Sequence, residues 1–171
     1  MSVPESIATS TADLFDADPS GVAVCALPFI DYGGRARFRG PCSTLVASDD
    51  PSAIAQAVSE PGEGRVLVID GLAVADCACL GDMLGRRAVD NGWAGVVVAG
   101  LVRDSAALAA LPLGVRALGT TARRPFGRDG GAARDVSVNL GGVTFEPGLT
   151  VVADEDAVIA LRRSETDRCR P

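Results

Sequence analysis

The chain has 171 residues, a formal net charge of -6, 47% hydrophobic and only 4% aromatic residues, and all 16 of its basic residues are Arg because it contains no His and no Lys. Those two absences exclude Schiff-base chemistry, Ser-His and Cys-His nucleophiles and His-ligated zinc. The acidic balance argues against direct binding to nucleic acid or to an anionic membrane, and the length suits one domain with a core of Val, Leu and Ala.

Taken in chain order, short apolar runs alternate with amphipathic ones. Ser10-Thr11 caps a helix through Leu14-Phe15-Asp16, which Asp18-Pro19 stops. Residues 22–27 read as a strand, Asp31-Tyr32-Gly33-Gly34-Arg35 as a loop and 36–47 as an extended segment. The glycines of that loop suit a tight turn, with a subunit contact as the other reading. Asp50-Pro51 supplies an N-cap with Pro at the first position of a helix through Val58. Residues 65–70 form a buried strand ending at Gly71, and 80–91 a helix closed by Asn91-Gly92. A strand over 94–102, a short helix over 105–111 ended by Pro112 and a strand over 115–119 follow. Arg123-Arg124 and Arg128-Asp129-Gly130-Gly131 suit a mobile surface loop. Beyond Asp135 the pattern becomes mostly β: 136–140 alternates, Gly141-Gly142 suggests a bulge or close backbone approach, and 143–145, 149–152 and 158–161 continue in strand. Residues 1–161 thus form a single domain, and 162–171 read as a disordered tail. An α/β middle between β-rich ends predicts a layered α/β domain with a mixed sheet.

The N-terminus Met1-Ser2-Val3-Pro4-Glu5-Ser6 has neither the basic nor the apolar region of a secretory leader, and the apolar stretches are too short to span a bilayer. The cysteines, Cys25, Cys42, Cys77, Cys79 and Cys169, are odd in number and lack a CxxC spacing. They predict reduced, buried thiols in a cytoplasmic protein, with a reactive Cys77 or Cys79 as the alternative. Trp93 and Met83 are expected to pack in the core.

The chemistry-bearing residues cluster at the ends of the middle strands. Arg103-Asp104 directly follows the 94–102 run, where open α/β sheets place ligands. Gly71 and Gly100 suggest close backbone approach there. Gly81-Asp82-Met83-Leu84 opens the 80–91 helix, and its first backbone N–H groups, next to the positive end of the helix dipole, suit a carboxylate or phosphate. Arg103 can clamp the same anion, and Asp82 and Asp104 offer oxygen ligands suited to Mg²⁺ or Mn²⁺. Spacing alone leaves open a simpler alternative, in which Asp82 is a helix-start charge and Arg103-Asp104 a helix cap.

The chain resembles the family of the regulator of ribonuclease activity A and the 4-hydroxy-4-methyl-2-oxoglutarate aldolases (RraA-like). The resemblance rests on Tyr32-Gly33-Gly34-Arg35-Ala36-Arg37-Phe38 with Gly40-Pro41, on Val66-Leu67-Val68-Ile69-Asp70-Gly71, on Gly81-Asp82-Met83-Leu84, on 95–104, and on Asn139-Leu140-Gly141-Gly142-Val143-Thr144-Phe145 with Pro147-Gly148. In the aldolases an acid is followed after twenty residues by Arg-Asp and then, two residues on, by another acid. Asp82, Arg103 and Asp104 match, but the last acid is replaced by Ala107.

The resemblance implies a three-layer β/β/α swivelling-domain fold and a homotrimer. It also implies that Asp104 binds a divalent metal, that Asp82 holds water on it, and that Arg103 with the backbone of Gly81, Asp82, Met83 and Leu84 binds the substrate. The implied activity is metal-dependent retro-aldol cleavage of 4-hydroxy-4-methyl-2-oxoglutarate to pyruvate, with oxaloacetate decarboxylation beside it and Asp82 and Arg103 as catalytic residues. The alternative is a regulator that binds and inhibits an endoribonuclease of the ribonuclease E type, an acidic surface meeting the enzyme's basic segments.

Overall fold

A computed structural model describes residues 9–47, 51–72, 74, 76–125 and 132–162. In chain order it contains α1 (Thr11–Ala17), β1 (Val22–Val24), β2 (Ile30–Asp31), β3 (Phe38–Val46), α2 (Pro51–Ser59), β4 (Val66–Asp70), β5 (Ala78–Leu80), α3 (Asp82–Asp90), β6 (Gly95–Val102), α4 (Ser105–Ala109), β7 (Gly114–Thr120), β8 (Ala133–Arg134), β9 (Val138–Leu140), β10 (Val143–Phe145), β11 (Thr150–Ala153) and β12 (Val158–Leu161). The large sheet runs β1-β12-β11-β3-β4-β6-β7-β2, with β8 beside β3 and β5 beside β6. Pairing is parallel from β3 through β4 and β6 to β7 and antiparallel among β3, β11, β12 and β1. The mixed sheet expected from the sequence is therefore present.

The parallel strands read as unbroken apolar runs because both of their faces are covered. Leu67, Ile69, Val96 and Val98 point into a core shared with Ile54 and Val58 of α2, Ala88 of α3 and Leu108 of α4. Their neighbours Val66, Val68, Val97 and Ala99 point the other way, into a second core with Val138, Leu140 and Phe145 of the β9–β10 hairpin and Val151 and Val158 of β11 and β12. Two cores on opposite faces of one sheet give the three layers. Phe38 shows how tightly they close: a Cβ on Gly95 or Gly114 would lie 2.3 or 2.0 Å from its ring, so both parallel strands begin with the one residue that leaves it room.

Several local expectations change. The 80–91 helix starts at Asp82, because Leu80 ends β5, a strand of three residues that is too short to show a period. Gly141-Gly142 is the turn of the β9–β10 hairpin: φ is 53° and 81°, and Leu140 pairs with Val143. Positive φ at both central residues is what such a two-residue turn demands. Gly33 and Gly34 lie flat against the backbone of 111–115, where a Cβ would come within 2.2 Å of Leu113 O or Leu111 O. Trp93 is buried, as expected, but Met83 is 71% exposed, because its place in the first turn of α3 faces away from the core. Cys25, Cys42 and Cys79 are buried free thiols, and Cys77 is a partly buried one. Asp50, Arg128-Asp129-Gly130-Gly131, Cys169 and all of the tail except Arg162 lie outside the described residues.

Candidate active site

The site follows from one register. β5 and β6 are parallel, and Leu80 pairs with Val102. The chains leaving the carboxyl ends of the two strands, Gly81-Asp82 and Arg103-Asp104, are therefore forced side by side, with the Arg103 N–H donating to Leu80 O at 2.9 Å. Glycine at position 81 leaves room for both: a Cβ there would stand 3.0 Å from Asp104 Oδ2 and 3.1 Å from Arg103 Cγ, close enough to make those side chains shift. Gly71 and Gly100 serve the same crossing, since a Cβ on either would press on Cys79 Sγ, at 2.8 and 3.2 Å. The close approach expected at both glycines is observed.

Gly81 is the N-cap of α3 and offers no side chain to the first turn. The first helical bond runs from Gly85 N to Gly81 O, so the N–H groups of Asp82, Met83 and Leu84 have no partner within the helix. Asp104 is held at φ 56°, ψ 40°, a left-handed conformation uncommon outside glycine, where it precedes α4. Backbone strain of this kind, on the order of 1 kcal/mol, tends to collect at functional sites. Arg103 donates Nε–H to Asp104 Oδ2 at 3.0 Å, and Asp82 Oδ2 faces Arg86 Nε at 3.9 Å. The side chains of Asp82, Arg103 and Asp104 are about one-third exposed, at 32, 37 and 39%.

These residues line a cleft of about 460 Å³. Met83 and Leu84 line it, as do Ser52 and Ala55 of α2 and Ala78 and Cys79 of β5. Sequence reasoning missed two of its walls. Arg87 lines it one helical turn beyond Met83, and Arg124, read from sequence as part of a surface loop, reaches it after β7. The i,i+4 spacing of Met83 and Arg87 was the available signal for the first; nothing local marked the second. Ala107 is not among the lining residues. Burial, with the Cys77 and Asp70 charges adding to it, pushes the Cys79 thiol up to about 11, so it is neutral at pH 7 and no nucleophile. Among the described residues no group of three or more His, Cys, Asp or Glu side chains could cage a metal. Two carboxylates at an open cleft instead fit an ion such as Mg²⁺ or Mn²⁺, which keeps much of its water.

The RraA-like family profile, described as Aldolase/RraA, matches residues 11–160. The chain belongs to that family. An RraA-like relative from Laribacter hongkongensis, named "Putative 4-hydroxy-4-methyl-2-oxoglutarate aldolase", is 48% identical over 149 residues, which cover 87% of this chain and 93% of the relative. A crystal structure from Geobacillus kaustophilus, titled as an S-adenosylmethionine:2-dimethylmenaquinone methyltransferase, superimposes with a TM-score of 0.86 at 40% identity, covering 93% of this chain and 98% of that one. The RNA-processing inhibitor RraA from Thermus thermophilis gives 0.85 at 38% identity, covering 92% and 96%. One RraA-like fold thus carries three different names, and the chemistry of the cleft has to choose among them.

Proposed function

We propose that this RraA-like protein is a lyase that cleaves 4-hydroxy-4-methyl-2-oxoglutarate to two molecules of pyruvate, with oxaloacetate decarboxylation as a second reaction. The observation that carries the reading is the Leu80–Val102 register, which brings an uncapped helix start, an Arg and two carboxylates to the wall of one cleft. The outer edge of the Arg103 guanidinium and the N–H groups of Asp82, Met83 and Leu84 bind the carboxylate next to the 2-oxo group. Asp104, with Asp82 beside it, would hold a divalent cation, which would supply Lewis acidity toward the 2-oxo group of the substrate. The C3–C4 bond then breaks, its electron pair moves to C3 to form the enolate of one pyruvate, and C4 becomes the carbonyl of the other. With no His or Lys in the chain, the proton leaving the C4 hydroxyl passes to water oriented by Asp82, Arg103 stabilises the negative charge of the enolate, and a proton returned from that water to C3 completes the second pyruvate. A sulfonium methyl donor fits less well, since three Arg residues line the cleft.

The family resemblance supports a cytoplasmic homotrimer with the cleft near a subunit boundary. No helix among the described residues is long and apolar enough to cross a membrane. A regulator of a ribonuclease E-type enzyme is the second reading, favoured by the likeness to an RNA-processing inhibitor and by the net charge of -6.

The test is pyruvate release with and without Mg²⁺. Asp104→Asn is expected to abolish it while the circular dichroism melt stays near wild type, because Asn tolerates the left-handed backbone at 104 and the side chain is exposed and outside the core. Wild-type turnover by that variant in EDTA would exclude the metal-assisted mechanism.

A further inference from the structure

The register that builds the site passes through two irregularities. β4 and β6 pair as far as Asp70–Ala99, where the Gly71 N–H donates to Ala99 O at 3.1 Å. β5 then pairs with β6 at Ala78–Leu101 and Leu80–Val102. β7 holds the other edge of β6 as far as Val102–Thr120, so β5 occupies the edge that β4 has just left. Gly100 is the residue at which β6 changes neighbour. Each ladder beside it carries one surplus residue. Between Val98–Ala117 and Leu101–Gly119, β6 advances three positions while β7 advances two. Between Ala78–Leu101 and Leu80–Val102, β5 advances two while β6 advances one, which makes Cys79 the surplus residue of β5. A surplus residue bends its strand, increases the local twist and re-aims the side chains beyond it. Beyond these two lie Gly81-Asp82 and Arg103-Asp104.

We propose that Cys79 is a positioning residue of the site: its thiol, seated on Gly71 and Gly100, fixes the β5 bulge and so holds Gly81-Asp82 against Arg103-Asp104. The catalytic consequence rests on the lyase reading; the positioning itself does not. Cys79 is buried, and its sulfur takes the space above both glycines, where an added Cβ would come within 2.8 Å (Gly71) or 3.2 Å (Gly100) of Sγ. Ala78 and Leu80 on either side are buried too, so β5 lacks the in-and-out alternation of a regular strand. With three residues and two pairings, β5 has little ladder of its own to fix its register, and a weakly specified register slips unless side-chain packing pins it. The Cys79 sulfur supplies the pin. At Gly100 it alone sets the limit, since the next atoms that a Cβ would meet, Gly71 O and Val98 Cγ1, stand at 3.4 and 3.5 Å, ordinary contact distances.

The test presses on the sulfur and then removes it. Gly100→Ala pushes a methyl group against Sγ, and Cys79→Ala in the same chain takes the obstacle away. The Arg103 N–H, which donates to Leu80 O at 2.9 Å, reports the register directly through its amide hydrogen exchange. In Gly100→Ala its exchange is expected to speed up about tenfold relative to the buried amide of Val97, with a parallel loss of kcat/KM for pyruvate release. The double variant should recover most of both, although Cys79→Ala alone also loosens Arg103 several-fold. Should Gly100→Ala not fold, Cys79→Ala alone carries the test, read in the same way against Val97. An Arg103 N–H that these substitutions leave unchanged, or a double variant no better than Gly100→Ala, overturns the proposal. Equal acceleration at Arg103 and Val97 does so too, since a sulfur that merely fills the core would loosen both alike. If the exchange shifts and recovers as expected in a protein that releases no pyruvate, the positioning stands and the lyase reading fails.

Discussion

Arg103 has two tasks, and its geometry separates them. Nε–H is given to Asp104 Oδ2, which fixes the plane of the guanidinium and turns the remaining N–H edge toward the cleft. A lysine keeps the charge but replaces the rigid planar fork with a point charge on a flexible stem, so it orients neither Asp104 nor a substrate carboxylate as well. Arg103→Lys is therefore expected to lower kcat/KM for pyruvate release about tenfold to a hundredfold, while the thermal melt changes little because the side chain is more than one-third exposed. Wild-type kcat/KM in that variant would remove Arg103 from substrate binding. Asp104 adds a backbone constraint, since its left-handed conformation is one that Asp and Asn adopt more readily than most residues.

Among the elements, α1 is tied to the sheet by one buried carboxylate in addition to the packing of Leu14 on Val22, Val152 and Ile159. Ser10 caps the helix through its Oγ, as the sequence suggested. Its first residue, Thr11, is anchored by sequence-distant Asp154, with Thr11 N–H to Oδ2 at 2.7 Å and the Thr11 hydroxyl to Oδ1 at 2.8 Å. Burial works to raise the Asp154 pKa, but these bonds and those from the N–H groups of Asp156 and Ala157 outweigh it and hold the carboxyl below its ordinary value. A folded pKa below the unfolded one contributes stability that is fully present above the unfolded value, about 3.9, and is lost as pH falls through the folded value. Asp154→Ala should cost about 2–3 kcal/mol near pH 7 by leaving buried donors unpaired. The gap between variant and wild type in urea unfolding should narrow only below about pH 4. A gap that is constant down to pH 2 would show that the ionised carboxylate contributes nothing.

Across the whole molecule the net charge is -6, whereas the described lining of the cleft holds three Arg against two Asp. The lyase reading uses the cleft, whereas a ribonuclease regulator would use the acidic exterior. Asp82→Asn together with Asp104→Asn should remove pyruvate release. If the protein is chiefly a lyase, an added ribonuclease E-type enzyme should show no saturable binding at physiological salt. A salt-sensitive complex of micromolar or tighter affinity, unaltered by those substitutions and accompanied by no pyruvate with Mg²⁺ or Mn²⁺, would replace the first reading with the second. Sedimentation should give three times the 17.4 kDa chain mass if the trimer is correct; a monomer would rule it out.

Local patterns alone made most of the layers legible. Both-faced apolar runs at 65–70 and 94–102 determine the parallel centre, Ser10 and Asn91-Gly92 mark helix ends, and Gly81-Asp82 and Arg103-Asp104 stand where strand ends carry ligands. These signals are read within a few residues, because backbone period and capping are short-range. What the tertiary structure decided is register and convergence. β5 shows no period in three residues, yet its pairing at Leu80–Val102 builds the site. Met83 carries an apolar side chain that sequence places in a core, and only the direction of α3 turns it outward. Arg87 and Arg124, 37 positions apart, line one cleft, and no local pattern encodes that convergence.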